Sequence, residues 1–441
     1  MEQRRKNLTQ LFIPICLETL LYMLSGMVDT LMLSSVNDQA VGAVGTANTY
    51  IGIFIIMFSV ISSGMVAVMT QNIGAGRPGV AYQARQLGLT FNAVLGIIVS
   101  LILTFGAGAI LAGVGVADAL MQPARTYLQI VGGFCILNAL IPICSSYLRA
   151  FGFSKEPLYA SIIGNVINFC LNAFFLFVLH KGVAGVATAT VISLIINLVI
   201  VVLLGAVLVK AKQHPERESN RAVMGQIIRI GLPSACETAI YNVSMTLVIR
   251  FLNQMDAQGL NVTARSYTMQ ITNFSYCVGA ALAQANAIMT GWHIGAKEYD
   301  ACDRGTKKAA VIGVIVAVIL ETMFALCSGW IMQLFSKDPQ MVSLVGKLLA
   351  IDIVLEMGRV TNLVYGQALK TSGDAVFPVV MGACFMILCS VGGTYLFGIR
   401  LGLLAVGAYI GMTGDECVRA VGMYLRWKSG KWKEKGLVKS R

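Results

Sequence analysis

The sequence predicts an all-α integral membrane protein, with twelve transmembrane helices in two pseudo-symmetric six-helix bundles. Three observations carry this. Hydrophobic residues make up 56% of the 441 positions and charged residues only 12%, against about 25% charged in an ordinary soluble domain. Apolar runs recur to the end of the chain, each long enough to cross a hydrocarbon core of about 30 Å as a helix. The second half also repeats landmarks of the first in the same order.

The runs place spans at residues 10–34, 45–70, 86–115, 127–148, 158–180, 183–209, 226–254, 264–290, 306–334, 343–369, 376–398 and 401–425. A soluble helical protein would instead show amphipathic stripes. The basic start of the chain followed by an apolar run resembles a signal peptide, but no small-x-small cleavage site follows. The run continues through Gly26 to Leu33, so it reads as an uncleaved first helix.

The net charge of +12 reports topology and not a nucleic-acid partner. Most Lys and Arg lie in one alternating set of loops and termini: Arg4 to Lys6, Arg77, Arg85, Arg149, Lys155, Lys210 to Arg221, Lys297 to Lys308, Lys370 and the tail after Arg426. The other set holds Arg125, Lys181, Arg265, Lys337, Lys347 and Arg400. This bias puts both termini in the cytoplasm of a multi-pass plasma (inner) membrane protein. The tail Arg426–Arg441, with Trp427 and Trp432, is expected to anchor at an anionic lipid surface.

The repeat begins at Pro14-x3-Glu18-Thr19-x2-Tyr22, which recurs as Pro233-x3-Glu237-Thr238-x2-Tyr241, 219 positions later. Ala67-Val68-Met69-Thr70 recurs as Ala287-Ile288-Met289-Thr290, and Ile73-Gly74-Ala75 as Ile294-Gly295-Ala296. Leu148-Arg149-x2-Gly152 recurs as Leu369-Lys370-x2-Gly373, and Pro157 as Pro378. Six spans per repeat return the chain to its starting side, so the copies share one orientation. The expected units are an N-terminal lobe over 1–209, a cytoplasmic linker over 210–222, and a C-terminal lobe over 223–441 that ends in the basic tail.

Enzymatic chemistry finds no support. The eleven cysteines lie mostly within spans with no CxxC pair, and His180, His214 and His293 are far apart, so neither a disulfide framework nor a zinc site is indicated. The Gly74–Gly79 turn lacks the order of a phosphate-binding loop. No organic cofactor is expected.

Acids inside apolar runs are costly and point to function. Glu18 and Asp29 are eleven residues apart, within about 20° of one helix face and roughly 16 Å along it. Tyr22 lies on the same face. This stripe suits a cation or a proton. The second copy keeps Glu237 and Tyr241 but has Val248 where Asp29 would repeat. Glu356 sits one turn from Arg359, with Asp352 one turn earlier, and the spacing suits either a functional acid or a structural pair. Asp415, Glu416 and Arg419 read as structural, and Glu321 has no assigned role. Asn168 and Asn172 share a face, able to bind a ligand or to join helices.

The chain resembles the multidrug and toxic compound extrusion (MATE) transporters in Pro14-x3-Glu18 with Val28-Asp29-Thr30, and in Gln71-Asn72-Ile73-Gly74-Ala75-Gly76. The two Leu-Arg/Lys-x2-Gly motifs, Phe377-Pro378 and Asp415-Glu416-x2-Arg419 extend the resemblance over essentially the whole chain. It implies a secondary antiporter that exports organic, amphiphilic, cationic compounds in exchange for Na⁺ or H⁺. The family's first-helix carboxylate falls on Asp29, the Asn-x3-Asp motif of one branch falls on Asn168-x3-Asn172, where the Asp is missing, and the family's helix-10 acid falls nearest Glu356. A Na⁺ ion, where one is used, is expected at Asp29 or Glu237. The partners expected are small organic cations and the lipid bilayer, with no nucleic acid, for a protein acting as a monomer. The alternative reading is a lipid-linked saccharide flippase of the broader superfamily.

Overall fold

The computed structural model of the chain describes residues 6–35, 38–113, 116–210, 216–256, 258–333 and 335–438. Arg4, Arg5, Lys212, Lys439 and Arg441, used above for the charge bias, lie outside these residues, as does the middle of the linker.

The described chain is a succession of helices: α1 (Leu8–Ser34), α2 (Asp38–Gly74), α3 (Pro78–Phe105), α4 (Ala107–Gly113), α5 (Asp118–Gly133), α6 (Ile136–Ala150), α7 (Lys155–Ala173), α8 (Gly182–Leu208), α9 (Asn220–Met255), α10 (Leu260–Gly295), α11 (Tyr299–Leu326), α12 (Ser328–Met332), α13 (Pro339–Ser372), α14 (Val376–Phe385) and α15 (Leu404–Lys428). Every expected span falls on helix, but some are shared: 86–115 by α3 and α4, 306–334 by α11 and α12, 376–398 by α14 and the π-helical turns after it, and 127–148 by α5 and α6, which bend by 43° at their junction. Among the described residues, seven helices are apolar and long enough to cross a membrane by themselves, and an eighth span results if the bent α5/α6 pair counts as one. The long helices α9, α10, α13 and α15 are more polar, because they carry much of the charge and amide content described below.

The chain divides into two compact units, Met1–Leu232 and Pro233–Arg441. In the first, α2 packs on α3, α5 and α6, and α7 packs on α1 and α8. Its core is apolar, with Ala43, Phe58, Leu103, Leu128 and Val131 all buried. Gly64 and Gly231 permit a backbone crossing of α2 and the start of α9: a Cβ on Gly231 would lie 1.7 Å from the Val60 carbonyl oxygen. The segment before α9 is tied to α3 by Gln83, whose amide donates to the Glu218 carbonyl at 2.7 Å, and by an Arg77–Glu218 ion pair at 2.7 Å. In the second unit α13 is central, packed on α10, α11 and α15.

The repeated Leu-Arg/Lys-x2-Gly motif is a helix ending. Gly152 and Gly373 have φ of 86° and 99°, a left-handed conformation that glycine adopts without penalty. The Phe153 and Asp374 amides reach back to the Leu148 and Leu369 carbonyls, and the glycine amides to those of Arg149 and Lys370. This closes α6 and α13 as Schellman caps.

Pro14 lies inside α1 and has no N–H to give the Gln10 carbonyl. Ser154 donates its hydroxyl to that carbonyl at 3.0 Å, so the residue just past the α6 cap repairs the interruption. The helices that open with Pro157 and Pro378 both loosen into π-helical turns, at Phe174–Val178 and at Met386–Val391 with Thr394–Arg400.

The tail differs from expectation. Trp427 and Trp432 are each 1% exposed. Their rings stack at 4.1 Å and 9°, Trp432 Nε1 donates to the Trp427 carbonyl, and Trp427 Nε1 donates to Asp303 at 2.9 Å. The pair is thus protein core and not a lipid-interface anchor: its apolar faces cover each other while each indole N–H finds an acceptor. Lys428, Lys431, Lys433 and Lys435 remain exposed.

Candidate functional site

In the first unit, the face of α1 that carries Glu18 and Asp29 lies along α7, but the two acids serve different places. Glu18 meets Arg149 Nη2 at 2.6 Å and accepts from Ser161 at 3.5 Å. Three turns on, Asn172 Nδ2 donates to Asp29 Oδ1 at 2.7 Å and to Asn168 Oδ1 at 3.2 Å. Both asparagines are buried and Asp29 is half-buried. Asp29, Asn168 and Asn172 therefore form one group. Tyr22 stands outside it, 76% exposed.

In the second unit, Glu237 lies beside Lys370 Nζ at 2.5 Å, so the carboxylate expected to hold a Na⁺ ion already faces an ammonium. The polar centre lies elsewhere. Carboxylate oxygens of Glu321 on α11 and of Asp352 and Glu356 on α13 lie within 4.8 Å of one another, and all three residues are buried. Both Glu321 oxygens, Asp352 Oδ2 and Glu356 Oε2 have no hydrogen-bond partner. Arg359 pairs with Glu356 and stands 3.6 Å from Glu416. Arg419 completes the network, 2.8 Å from both Asp415 and Glu416, while Asn362 donates to Glu416 and Ser390 to Asp415.

A cavity of about 200 Å³ opens against this network, with Tyr241, Arg265, Asp352 and Arg359 in its wall. The geometry thus brings Glu356 together with Asp352 and Glu321, and puts Tyr241 at the cavity beside them. Asp352 was legible as a neighbour of Glu356 one turn along α13, but Glu321 read as an isolated acid, because α11 and α13 meet through tertiary packing. Arg265 counted as a loop cation, yet it is 5% exposed on α10.

The two units place their polar groups reciprocally. By the repeat offset, Asp29 corresponds to Val248, and Asn168 and Asn172 to Cys389 and Gly393; Glu321, Asp352 and Glu356 correspond to Ser100, Val131 and Cys135. Each unit is apolar, or nearly so, where the other carries charge or amide.

Two helical units with apolar membrane-crossing helices and a group of buried acids fit a membrane transporter of duplicated architecture. The MatE family model matches residues 14–174 and again 233–396, and the chain belongs to that family. It is 33% identical to the "Uncharacterized transporter YisQ" of Bacillus subtilis, over 96% of this chain and 94% of that protein. It is 22% identical to the "Probable multidrug resistance protein NorM" of Thermotoga maritima, over 98% and 94%. Among solved structures, "Crystal structure of MATE in the straight conformation" superimposes with a TM-score of 0.87 at 18% identity, covering 97% of this chain and 96% of that one. These matches agree with the expected all-α, multi-pass membrane fold.

Proposed function

We propose that the protein is a secondary antiporter that exports organic compounds across the plasma membrane in exchange for Na⁺ or H⁺. The ion site is the Glu321, Asp352 and Glu356 group, with Asp29, Asn172 and Asn168 as a second polar site in the other unit. The buried carboxylate group carries this reading. Three carboxylates this close, with four oxygens lacking a donor, need a counter-charge beyond Arg359, because uncompensated buried anions are strongly unfavourable. A proton or a Na⁺ ion supplies that charge, and the donor set of carboxylate oxygens fits a hard cation. The ion and the cationic part of a substrate then compete for the same anions. Loading the site from outside favours release of the substrate there, and a potential of about 100 mV contributes about 2.3 kcal/mol per charge moved. The charge bias of the loops supports termini on the cytoplasmic side, and the protein acts as a monomer.

The test is efflux of a fluorescent organic cation from proteoliposomes with the Na⁺ and pH gradients imposed separately. Efflux driven by at least one gradient, and lost in Glu356→Gln, is expected. Gradient-independent leakage, or unchanged efflux in that variant, would refute the proposal.

A further inference from the structure

Two buried arginines, Arg265 and Arg419, and the partly buried Arg359 serve the second unit, and one of them differs from the others. Arg359 is held by Glu356 and Glu416, and Arg419 by Asp415 and Glu416. Arg265 has no carboxylate within 4.0 Å among the described residues. Its Nε has no hydrogen-bond partner, and its Nη2 reaches only Met245 Sδ at 3.7 Å. Its side chain nevertheless lies in the wall of the cavity that Asp352 and Arg359 also line.

A guanidinium stays charged at any physiological pH, and burying a charge without a partner costs several kcal/mol. Its planar fork matches a carboxylate, to which it gives two parallel N–H···O bonds. We infer that Arg265 is the anion-recognition residue of this cavity and that the exported compound is amphoteric, with a carboxylate for Arg265 and a cationic nitrogen for Asp352. The inference rests on the transport reading above and names its substrate class. Asp352 lines the same cavity and its Oδ2 lacks a hydrogen-bond partner, so the cavity offers a fixed cation and an anion together. Tyr241, Tyr276 and Tyr409 line it as well, and aromatic faces suit a flat ring between the two charged ends. A compound that is only a cation leaves Arg265 unsatisfied, and one that is only an anion leaves Asp352 so.

The experiment uses two dyes with one xanthylium ring system: rhodamine 110, which carries a free carboxylate, and rhodamine 123, its methyl ester. Binding to the purified full-length protein is followed by fluorescence polarisation. The wild type is expected to bind rhodamine 110 at least about tenfold more tightly than the ester. Arg265→Gln should abolish the preference by weakening rhodamine 110 alone, and Arg265→Lys should retain part of it. Equal binding of the two dyes by the wild type, binding of neither, or equal weakening of both by Arg265→Gln would overturn the assignment. If Arg265→Gln fails to fold, the wild-type preference and Arg265→Lys decide. The dye preference is an equilibrium property, so an absence of gradient-driven efflux alongside it would refute the antiporter reading while leaving the anion site in place.

Discussion

Arg149 Nη2 lies 2.6 Å from Glu18 Oε2, joining the last turn of α6 to α1. The second unit repeats the contact, with Lys370 Nζ 2.5 Å from Glu237 Oε2. Two sequence motifs that each recur are therefore the two halves of one recurring ion pair. The Arg149 and Glu18 side chains are only 12% and 15% exposed, so removing one partner leaves a largely buried charge. Glu18→Gln or Arg149→Met should destabilise the protein by about 3–5 kcal/mol. The double variant should recover at least about 1 kcal/mol relative to the sum of the singles. Melting in detergent checks this, and the Glu237→Gln and Lys370→Met cycle should behave alike. Additive losses would show that the contacts are incidental.

Asn172 holds Asp29 through a charge-assisted hydrogen bond of 2.7 Å. Asn172→Leu should cost about 1.5–3 kcal/mol in stability and impair efflux. Asp29→Asn should impair efflux while leaving the melting temperature within a few degrees, because the amide still pairs with Asn172. Wild-type transport in both variants would remove this group from the mechanism.

Neutralising one member of the Glu321, Asp352 and Glu356 group separates stability from function. Glu321→Gln removes a buried anion whose two oxygens lack donors, so it should raise stability by roughly 0.5–2 kcal/mol while reducing ion-driven efflux, as functional sites commonly trade one for the other. Arg359→Ala should do the reverse to stability, costing about 3–5 kcal/mol by stranding Glu356, while Glu416 keeps Arg419 and Asn362. Melting curves and efflux on the same preparations provide the check.

The tail should be structural. Trp432→Ala removes a fully buried ring from the Trp427 stack and from its edge contact with Tyr299, a loss of about 3–5 kcal/mol. Gly373→Ala should also destabilise, since its Cβ would lie 2.3 Å from the Lys435 carbonyl oxygen. A melting temperature insensitive to both would show that the tail is not docked.

Outside the spans, Asp256 supports the start of α10. Slight burial opposes its charge, but the Asn261 backbone and side chain and the Leu260 and Gly259 amides outweigh it and hold the carboxyl below its ordinary value of 3.8. A carboxyl with a lowered folded value contributes stability above its unfolded value, and that stability is lost as pH falls through the folded one. Asp256→Ala should therefore cost about 1 kcal/mol near neutrality, and the difference from wild type should shrink below about pH 4. Melting against pH measures it.

The sequence by itself determined the all-α membrane class and the internal duplication. Apolar length, loop charge and recurring motifs are local or periodic properties, and the bilayer leaves a segment of about twenty apolar residues few structures besides a helix. It also held the Asp29, Asn168 and Asn172 group in outline, because the helical repeat places both asparagines on one face. What only the tertiary structure decided was which polar residues meet. Glu18 and Arg149 are far apart in the chain, as are Glu321 and Asp352, and no periodicity within one helix reports the face of another. Arg265 shows the limit most plainly. Near the start of its helix it reads as a loop cation, and packing against α13 and α15 turns it into a buried charge facing a cavity. Burial and partnership decide what an ionisable group does, and both are properties of neighbours brought together by the fold.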